Sequence, residues 1–289
     1  MGILKRAIAA DASVVVSVLD ATDIVNEIEK IHKTSAVVTA GLGRLSIAAS
    51  LMGYMLKGEN DTITLRVDGG GPTGALIAVS NSKGNVKSYV SNPVVEIPLN
   101  KYGKLDVGTA VGKTGTLSVI KDLGLKEPYI GRIPLVSGEI AEDIASYYAN
   151  SEQIPTVCGL GVLVNPDLSV NVAGGYLVQL LPFAGEEVIS TIEKNIDGLP
   201  SVTAMMSSGL SVEDIAMKLL SGLEPNILDE SKLKYFCDCT EERVKKAIMS
   251  VGNEELKSMA EEPGDTKVLC HFCNKEYSFD KNQILSLIK

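Results

Sequence analysis

The first two thirds of the chain alternate between short β-branched runs and segments whose apolar residues have helical spacing. Helices are predicted at Thr22–His32 and at Thr34–Lys57, which is long and rich in alanine and glycine. A third helix is predicted at Ile140–Tyr148, followed by a hairpin of Gly161–Val164 with Ser169–Leu180. Further strands are predicted at Ser13–Leu19, Thr62–Val67, Ala75–Ser80, Val86–Val90, Thr116–Ile120 and Ile130–Val136. This part is therefore predicted to be α+β with an antiparallel sheet.

The pattern changes near residue 184, and short amphipathic helices follow. They are predicted at Glu186–Ile196, Val202–Met206 and Val212–Leu220, the last with Ser211 as its N-cap. Helices this short are not stable alone in water, so they must pack against neighbouring elements. Residues 184–231 are therefore predicted to be an all-helical linker between a core domain, residues 1–183, and a C-terminal domain, residues 232–289.

The C-terminal domain is predicted to contain three helices separated by glycines and turns. Thr240 caps the first, with acidic residues in its first turn and Gly252 after its end. Asn253 is predicted to cap the second helix, and Asp280 the third.

Amino-acid composition and net charge limit the classes of binding partner that are expected. The 289 residues are 45% apolar and 22% charged, which is typical of a globular protein rather than a disordered one. The formal net charge is −9, and the linker alone carries nine acids against two bases. No segment has the cluster of Lys and Arg residues that contacts to nucleic-acid phosphates require. Nucleic acid is therefore not expected as a partner.

No membrane or secretory segment is predicted. The most apolar long stretch, Val37–Leu56, contains Arg44 and many small residues, and a buried helix explains it better than a membrane span. Asp11 interrupts the apolar run that follows Lys5 and Arg6, unlike a signal peptide. We therefore expect a cytoplasmic protein whose free thiols stay reduced.

Four of the five cysteines form two close pairs near the C-terminus. The first pair has C-x-C spacing and the second C-x-x-C spacing, and thirty residues lie between them. Four thiolates suit one tetrahedral Zn²⁺, and such a closed site leaves no open position for a substrate. The predicted ligands of one structural zinc ion are Cys237, Cys239, Cys270 and Cys273.

The cysteine spacing also permits redox chemistry. A domain of this size rarely gains more than about 3–5 kcal/mol from its core, whereas a structural zinc contributes about 10–16 kcal/mol in comparable sites. Oxidation of the thiols would remove the metal ligands. A disulfide across C-x-C requires a bent backbone, and such a strained disulfide is easily reduced again. Two hypotheses therefore remain open: a reversible redox switch, and a purely structural zinc in a constitutive binding module. A thiol oxidoreductase that uses C-x-x-C is a third, weakened by the even set of four sulfurs.

These cysteines, with several segments elsewhere, resemble the bacterial redox-regulated heat-shock chaperones of thirty-three kilodaltons. The family pattern is C-x-C, a gap of about thirty residues, and C-x-x-C. The resemblance extends over nearly the whole chain and includes the segments Gly43–Gly58, Gly69–Val79, Lys121–Gly131 and Ser151–Asp167.

The resemblance implies an ATP-independent holdase rather than an enzyme. It implies that oxidation forms the disulfides Cys237–Cys239 and Cys270–Cys273, releases zinc and unfolds the linker. Unfolding would expose apolar surface, including Met205, Met206 and Met217, to unfolding client proteins. The resemblance also implies that the active form is a homodimer.

Weaker motifs favour structural roles. Gly108–Thr114 resembles a P-loop, but it has three residues between its glycines where the motif needs four, and a strand-like run follows. Cys158 is predicted to be a buried core thiol. His271, between two cysteines, is not expected to be a ligand, and His32 is expected to act as a favourable charge at a helix end rather than as a catalyst.

Overall fold

The computed structural model describes residues 1–182 and 184–288. Phe183, the last residue of the predicted core domain, and Lys289 lie outside the described residues. The chain divides into two compact units, Met1–Tyr235 and Phe236–Lys289. Each unit has a core of its own, and the predicted α+β class with antiparallel sheets is confirmed.

The first sheet of the larger unit contains five antiparallel strands in the order β10-β1-β2-β9-β8. Three strands were expected in part, whereas β1 and β10 were not predicted. The five strands are β1 (Gly2–Ile8), β2 (Val14–Asp20), β8 (Thr156–Val164), β9 (Val170–Leu180) and β10 (Asn226–Leu233).

The second sheet is also antiparallel, in the order β5-β4-β3-β6-β7. All five of its strands lie where the β-branched runs predict them, with ends shifted by one or two residues. They are β3 (Thr62–Asp68), β4 (Leu76–Asn81), β5 (Val86–Val90), β6 (Thr116–Asp122) and β7 (Tyr129–Pro134).

One long helix packs against both sheets. Helix α1 (Thr22–His32) precedes it, and α2 (Ala36–Tyr54) forms the centre of the main hydrophobic core. By length and composition α2 could cross a membrane, but 89% of its apolar window is buried inside the fold. This explains why the segment is apolar all round, as expected of a helix in a protein core. Two further helices are α3 (Val107–Val111) and α4 (Ala141–Tyr147), and α4 continues into one π-helical turn at Tyr148–Glu152.

Three linker helices cover the outer face of the first sheet. They are α5 (Glu186–Asp197), α6 (Val202–Ser207) and α7 (Val212–Leu219). Ser211 caps α7 as predicted, and its hydroxyl accepts a hydrogen bond from the Asp214 amide at 3.1 Å. Apolar side chains of these helices, including the fully buried Ile215, form a second core with residues of β1, β2 and β9.

The linker also contains strand β10, which runs across the predicted boundary between residues 231 and 232. Three of its eight residues are charged, and the apolar alternation typical of a half-buried strand is missing. Because β10 lies at the edge of its sheet, it needs no apolar face, and this explains why the hydrophobic pattern does not predict it.

The smaller unit consists of three short helices and one hairpin. The helices are α8 (Glu241–Met249), α9 (Asn253–Glu261) and α10 (Lys281–Leu285), and the hairpin pairs β11 (Thr266–Leu269) with β12 (Glu276–Phe279). Thr240 and Asp280 cap α8 and α10 as predicted. The prediction for Asn253 was wrong, because Gly252 is the N-cap and Asn253 takes the first helical position. Gly252 has a φ of 96°, a left-handed conformation that glycine adopts without strain.

Candidate metal centre

The two cysteine pairs lie at the ends of different elements in the smaller unit. Cys237 and Cys239 precede α8, whose N-cap is the adjacent Thr240. Cys270 and Cys273 lie in the turn between β11 and β12. The hairpin and the start of α8 therefore bring residues more than thirty positions apart to one place.

The four sulfur atoms form one compact cluster. All of them lie within 4.8 Å of one another. Cys237 Sγ lies 3.7 Å from Cys270 Sγ, and Cys239 Sγ lies 3.4 Å from Cys273 Sγ. A tetrahedral zinc with bonds of about 2.3 Å would separate its sulfur ligands by about 3.8 Å. The spacing therefore fits a single metal ion bound by four thiolates, and all five cysteines of the chain carry free thiols.

The turn that carries the second pair is closed by backbone hydrogen bonds. The amides of Cys273 and Asn274 both donate to the carbonyl of Cys270, at 3.2 and 2.8 Å, and the Cys270 amide donates to Lys275 O at 3.0 Å. Asn274 has a φ of 55°, which asparagine tolerates better than most residues. This backbone holds both sulfurs of the pair on the same side of the turn.

A tyrosine supplies a further contact to the sulfur cluster. The Tyr277 hydroxyl donates a hydrogen bond to Cys239 Sγ at 3.1 Å. From the sequence alone, Tyr277 was assigned no role at this site. Its position on β12, next to the cysteine turn in the hairpin, is the signal that could have indicated it.

The local environment separates the acidities of the thiols. Burial alone would raise the pKa of Cys239, but hydrogen bonds from Tyr277 and the neighbouring thiols outweigh it and give a pKa of about 7. Burial raises the pKa of Cys237 and of Cys273. The hydrogen bond to Cys239 raises the pKa of Tyr277, so its hydroxyl stays protonated and donating. The environment of Cys239 thus favours its thiolate form.

The apolar core that supports the cluster is small. It contains seven buried side chains, and Cys239 and Cys270 pack against it as partly buried members. The seven are Val244, Ile248, Leu256, Ala260, Tyr277, Phe279 and Ile284. A metal ion held by four thiolates would therefore contribute a large part of the stability of this unit.

The weaker candidate residues have other environments. Cys158 lies in β8, partly buried against the main core, and burial raises the pKa of its thiol. His271 is an exposed residue of the cysteine turn and does not belong to the sulfur cluster. Residues of the P-loop-like segment form α3, and the Gly108 amide donates to the Glu139 carboxylate at 2.9 Å. A carboxylate in that place would repel a phosphate group.

The segment that follows β10 is held by an anchor residue, Tyr235, which lies two residues before Cys237. The Tyr235 hydroxyl donates to Ser88 O and accepts from Ser88 N, both at 3.1 Å, and lies 3.4 Å from His32 Nε2. The Val86 amide also donates to Lys234 O at 3.2 Å. The segment that follows β10 is thereby attached to the free edge of β5 in the second sheet. Sequence reasoning missed this anchor, because no local pattern links Tyr235 to Ser88.

Comparisons with known proteins agree with the arrangement of these elements. A family model described as Hsp33 protein matches residues 3–280. The 33 kDa chaperonin of Alkaliphilus metalliredigens is 46% identical over 98% of this chain and 97% of its own length. The 33 kDa chaperonin of Clostridioides difficile is 47% identical, with the same coverage. The crystal structure of a 33 kDa chaperonin from Thermotoga maritima is 37% identical with a TM-score of 0.91, covering 99% of this chain and 97% of that one.

Proposed function

Because the chain belongs to the Hsp33 family of chaperones, we propose that it is a redox-regulated, ATP-independent holdase without substrate turnover. The observation that carries the proposal is the cluster of four free thiols in a unit with a small core. A second observation supports it, since the linker between this unit and the core domain covers an apolar sheet face.

The metal of the reduced form is proposed to be one Zn²⁺, held by Cys237, Cys239, Cys270 and Cys273. Four soft thiolates in tetrahedral spacing favour zinc over magnesium or calcium, which prefer oxygen ligands. When bound, the ion supplies a crosslink between the start of α8 and the hairpin. The hydrogen bond from Tyr277 would orient the Cys239 sulfur and share its negative charge.

Oxidation is proposed to act on the thiols within each pair. Cys237 joins Cys239 and Cys270 joins Cys273, and each pair gives up two protons and two electrons to a peroxide, which is reduced to water. Disulfide sulfurs are not thiolates, so no ligands remain for a metal ion. The unit then keeps only its seven-residue apolar core, and it unfolds.

We propose that unfolding of this unit destabilises the linker through the covalent connection between Cys237 and Tyr235. Cys237 follows Tyr235 by two residues, so loss of order at the cysteine frees the anchored end of β10 to fray. The linker helices are too short to persist once their contacts weaken. Their departure would uncover the face formed by Ala7, Val14, Val16, Val18, Tyr176 and Val178, together with the methionines of the helices.

The remaining features of the proposal follow the family resemblance. Residues 1–183 act as the core, 184–231 as the relay and 232–289 as the switch. The active form is a homodimer that binds unfolding proteins, and neither nucleic acid nor a membrane is a partner. A cytoplasmic location is proposed because free thiols of this kind persist in a reducing compartment.

The test follows zinc, thiols and chaperone activity in one experiment. The purified protein is treated with peroxide at mildly elevated temperature, while bound zinc, free thiols and suppression of client aggregation are measured. We expect the loss of about one zinc and four thiols together with a gain of activity, in line with one tetrahedral four-cysteine site. Retention of zinc, or activity that is indifferent to oxidant, would instead favour a constitutive binding module with a structural zinc.

Matched serine variants assign the thiols. Cys237→Ser and Cys239→Ser should lower zinc content and blunt the response to oxidant, because each removes a ligand. Cys158→Ser is the control, since Cys158 lies in β8 and is not a member of the sulfur cluster. Normal zinc content in both ligand variants would contradict the assignment.

A further inference from the structure

Strand β10 occupies the edge of β1 over the whole length of that strand. The two pair antiparallel from Gly2 opposite Leu233 to Ile8 opposite Asn226. On its other side β1 pairs with β2. If β10 leaves, the backbone groups of β1 that now bond to β10 become an open edge, ready to pair with another extended chain.

Strand β10 buries little apolar side-chain surface of its own. Leu233 is its one buried residue, while Ile227 and Leu228 are 38% and 48% exposed. The register shifts between Arg6 and Ala7, and Leu228 is the extra residue of this bulge. A bulge interrupts the hydrogen-bond ladder locally and leaves its extra residue unpaired. An edge that holds its occupant mainly through the backbone can accept many sequences.

Two ion pairs add charge selectivity to this edge. Lys5 Nζ lies 3.1 Å from a carboxylate oxygen of Glu230 and also pairs with Glu213 of α7. Arg6 Nε donates to both carboxylate oxygens of Asp229, at 3.0 and 3.1 Å. The cations belong to β1 and the carboxylates to the linker. Departure of the linker would leave both cations facing whichever strand replaces β10.

An apolar surface continues from this edge across the sheet. Lys5 and Ala7 lie opposite Val18 and Val16 of β2, and these lie opposite Tyr176 and Val178 of β9. The linker helices now bury this surface. Side chains project to alternate faces of a strand, so every second residue of a chain paired with β1 would lie beside the surface.

Resting on the proposed release of the linker, we propose that the β1 edge binds an extended segment of an unfolding protein by antiparallel main-chain pairing. The preferred segment has apolar residues at every second position and a carboxylate opposite Lys5 or Arg6. Unfolding proteins supply such segments because their strands lose their partners. The linker strand is thus an internal competitor that keeps the edge closed in the reduced form.

Hydrogen–deuterium exchange of the full chain tests the proposal in two steps. Oxidation alone should speed exchange in Gly2–Ile8, and addition of a reduced, carboxymethylated protein that stays unfolded should slow it again. Strand β7, an edge of the other sheet that does not pair with β10, is the internal control. No change on oxidation would refute linker release itself. Faster exchange on oxidation that the unfolded protein does not reverse would refute the proposed edge site alone.

A second copy of the chain is the competing occupant. If β10 of another molecule fills the edge, the oxidised protein alone will show protection of Gly2–Ile8 that increases with protein concentration. That result would overturn the proposal.

A peptide of residues Pro225–Tyr235 provides an independent measurement. We expect the labelled peptide to bind the oxidised chain and not the reduced one, and to compete with the unfolded protein. A version methylated on the backbone nitrogens of residues 226–233 keeps every side chain, and it should bind at least about tenfold more weakly because methylated amides, like proline, cannot donate to a strand ladder. A version that keeps Asp229, Glu230 and the apolar residues in place but shuffles the others should retain binding within about tenfold. Equal binding of the methylated version would show that the backbone is not read.

Discussion

Replacing Tyr235 with phenylalanine should loosen the end of the linker without touching the cysteines. The hydroxyl group is the bridge that satisfies both the amide and the carbonyl of Ser88, at 3.1 Å each. Ser88 is completely buried. The Tyr235→Phe variant keeps the ring and removes both hydrogen bonds, so two backbone groups of β5 lose their partner in the docked state.

The size of the effect follows from those unpaired groups. Leaving a buried donor or acceptor unsatisfied costs about 1–3 kcal/mol. Water can satisfy Ser88 once the anchor has opened, so the cost falls on the docked state alone. At about 1–3 kcal/mol for each of the two groups and 1.4 kcal/mol for each factor of ten, the opening equilibrium should rise at least about 30-fold.

Exchange of backbone amides in the reduced, zinc-loaded protein measures this opening. Amides of Asn226–Leu233 should exchange faster by that factor, while amides of α2 in the main core should not change. The matched control is Tyr129→Phe, which removes a single hydrogen bond, to Ser151 Oγ at 3.2 Å, from an exposed tyrosine. Equal exchange in Tyr235→Phe and Tyr129→Phe would refute the role of the anchor. If the anchor does restrain the linker, Tyr235→Phe should also activate at a lower oxidant dose.

Three further predictions concern the metal, its tyrosine neighbour and pH. Chelation of zinc from the reduced protein should bring amides of the unit Phe236–Lys289 to the exchange rates of an unfolded chain and leave those of α2 protected; protection in both would show that metal is not needed for folding. Tyr277→Phe removes the donor to Cys239 and should weaken zinc binding about 10- to 100-fold in a chelator competition, and unchanged affinity would exclude this support. Burial lowers the pKa of His32 below its ordinary value of about 6.5. The stabilisation from neutral His32 is therefore complete above that pH and lost as pH falls, so the melting temperature of His32→Gln should depend less on pH between about 7 and 5 than that of the unchanged chain.

Hydrophobic periodicity was sufficient for most of the larger unit. The helix at Thr22–His32 and the strands β3, β4, β5 and β7 bury one regular face each, and this produces the pattern from which they are predicted. The cysteine spacing was sufficient to predict the sulfur cluster, because two short loops that carry two thiols each are typical of a metal site.

Strands β1 and β10 could not be predicted in the same way, because both carry charges that interrupt the apolar alternation and find their partners only in the folded chain. Lys5 and Arg6 interrupt the apolar pattern of β1, and Asp229 and Glu230 interrupt that of β10. Each charge finds its partner more than two hundred residues away. Contacts at such separation leave no local periodicity, and the same holds for Tyr235 and Ser88.

In the proposed mechanism a small unit controls a larger one because the free energies of the two differ in size. The two ends of the linker are held by few buried groups, whereas α6 and α7 between them bury several side chains. Helix α5 has one buried side chain, Ile192, β10 has one, Leu233, and the anchor is one hydroxyl group. Hydrogen bonds of this kind contribute about 0.5–1.5 kcal/mol each. A four-thiolate zinc contributes about 10–16 kcal/mol to the folding of its own unit. Only a small part of that free energy has to reach the linker, and the single residue between Tyr235 and Cys237, the first ligand position, is a short enough path to carry it. A linker that was held more strongly would stay docked after oxidation. A linker that was held more weakly would detach even without oxidant.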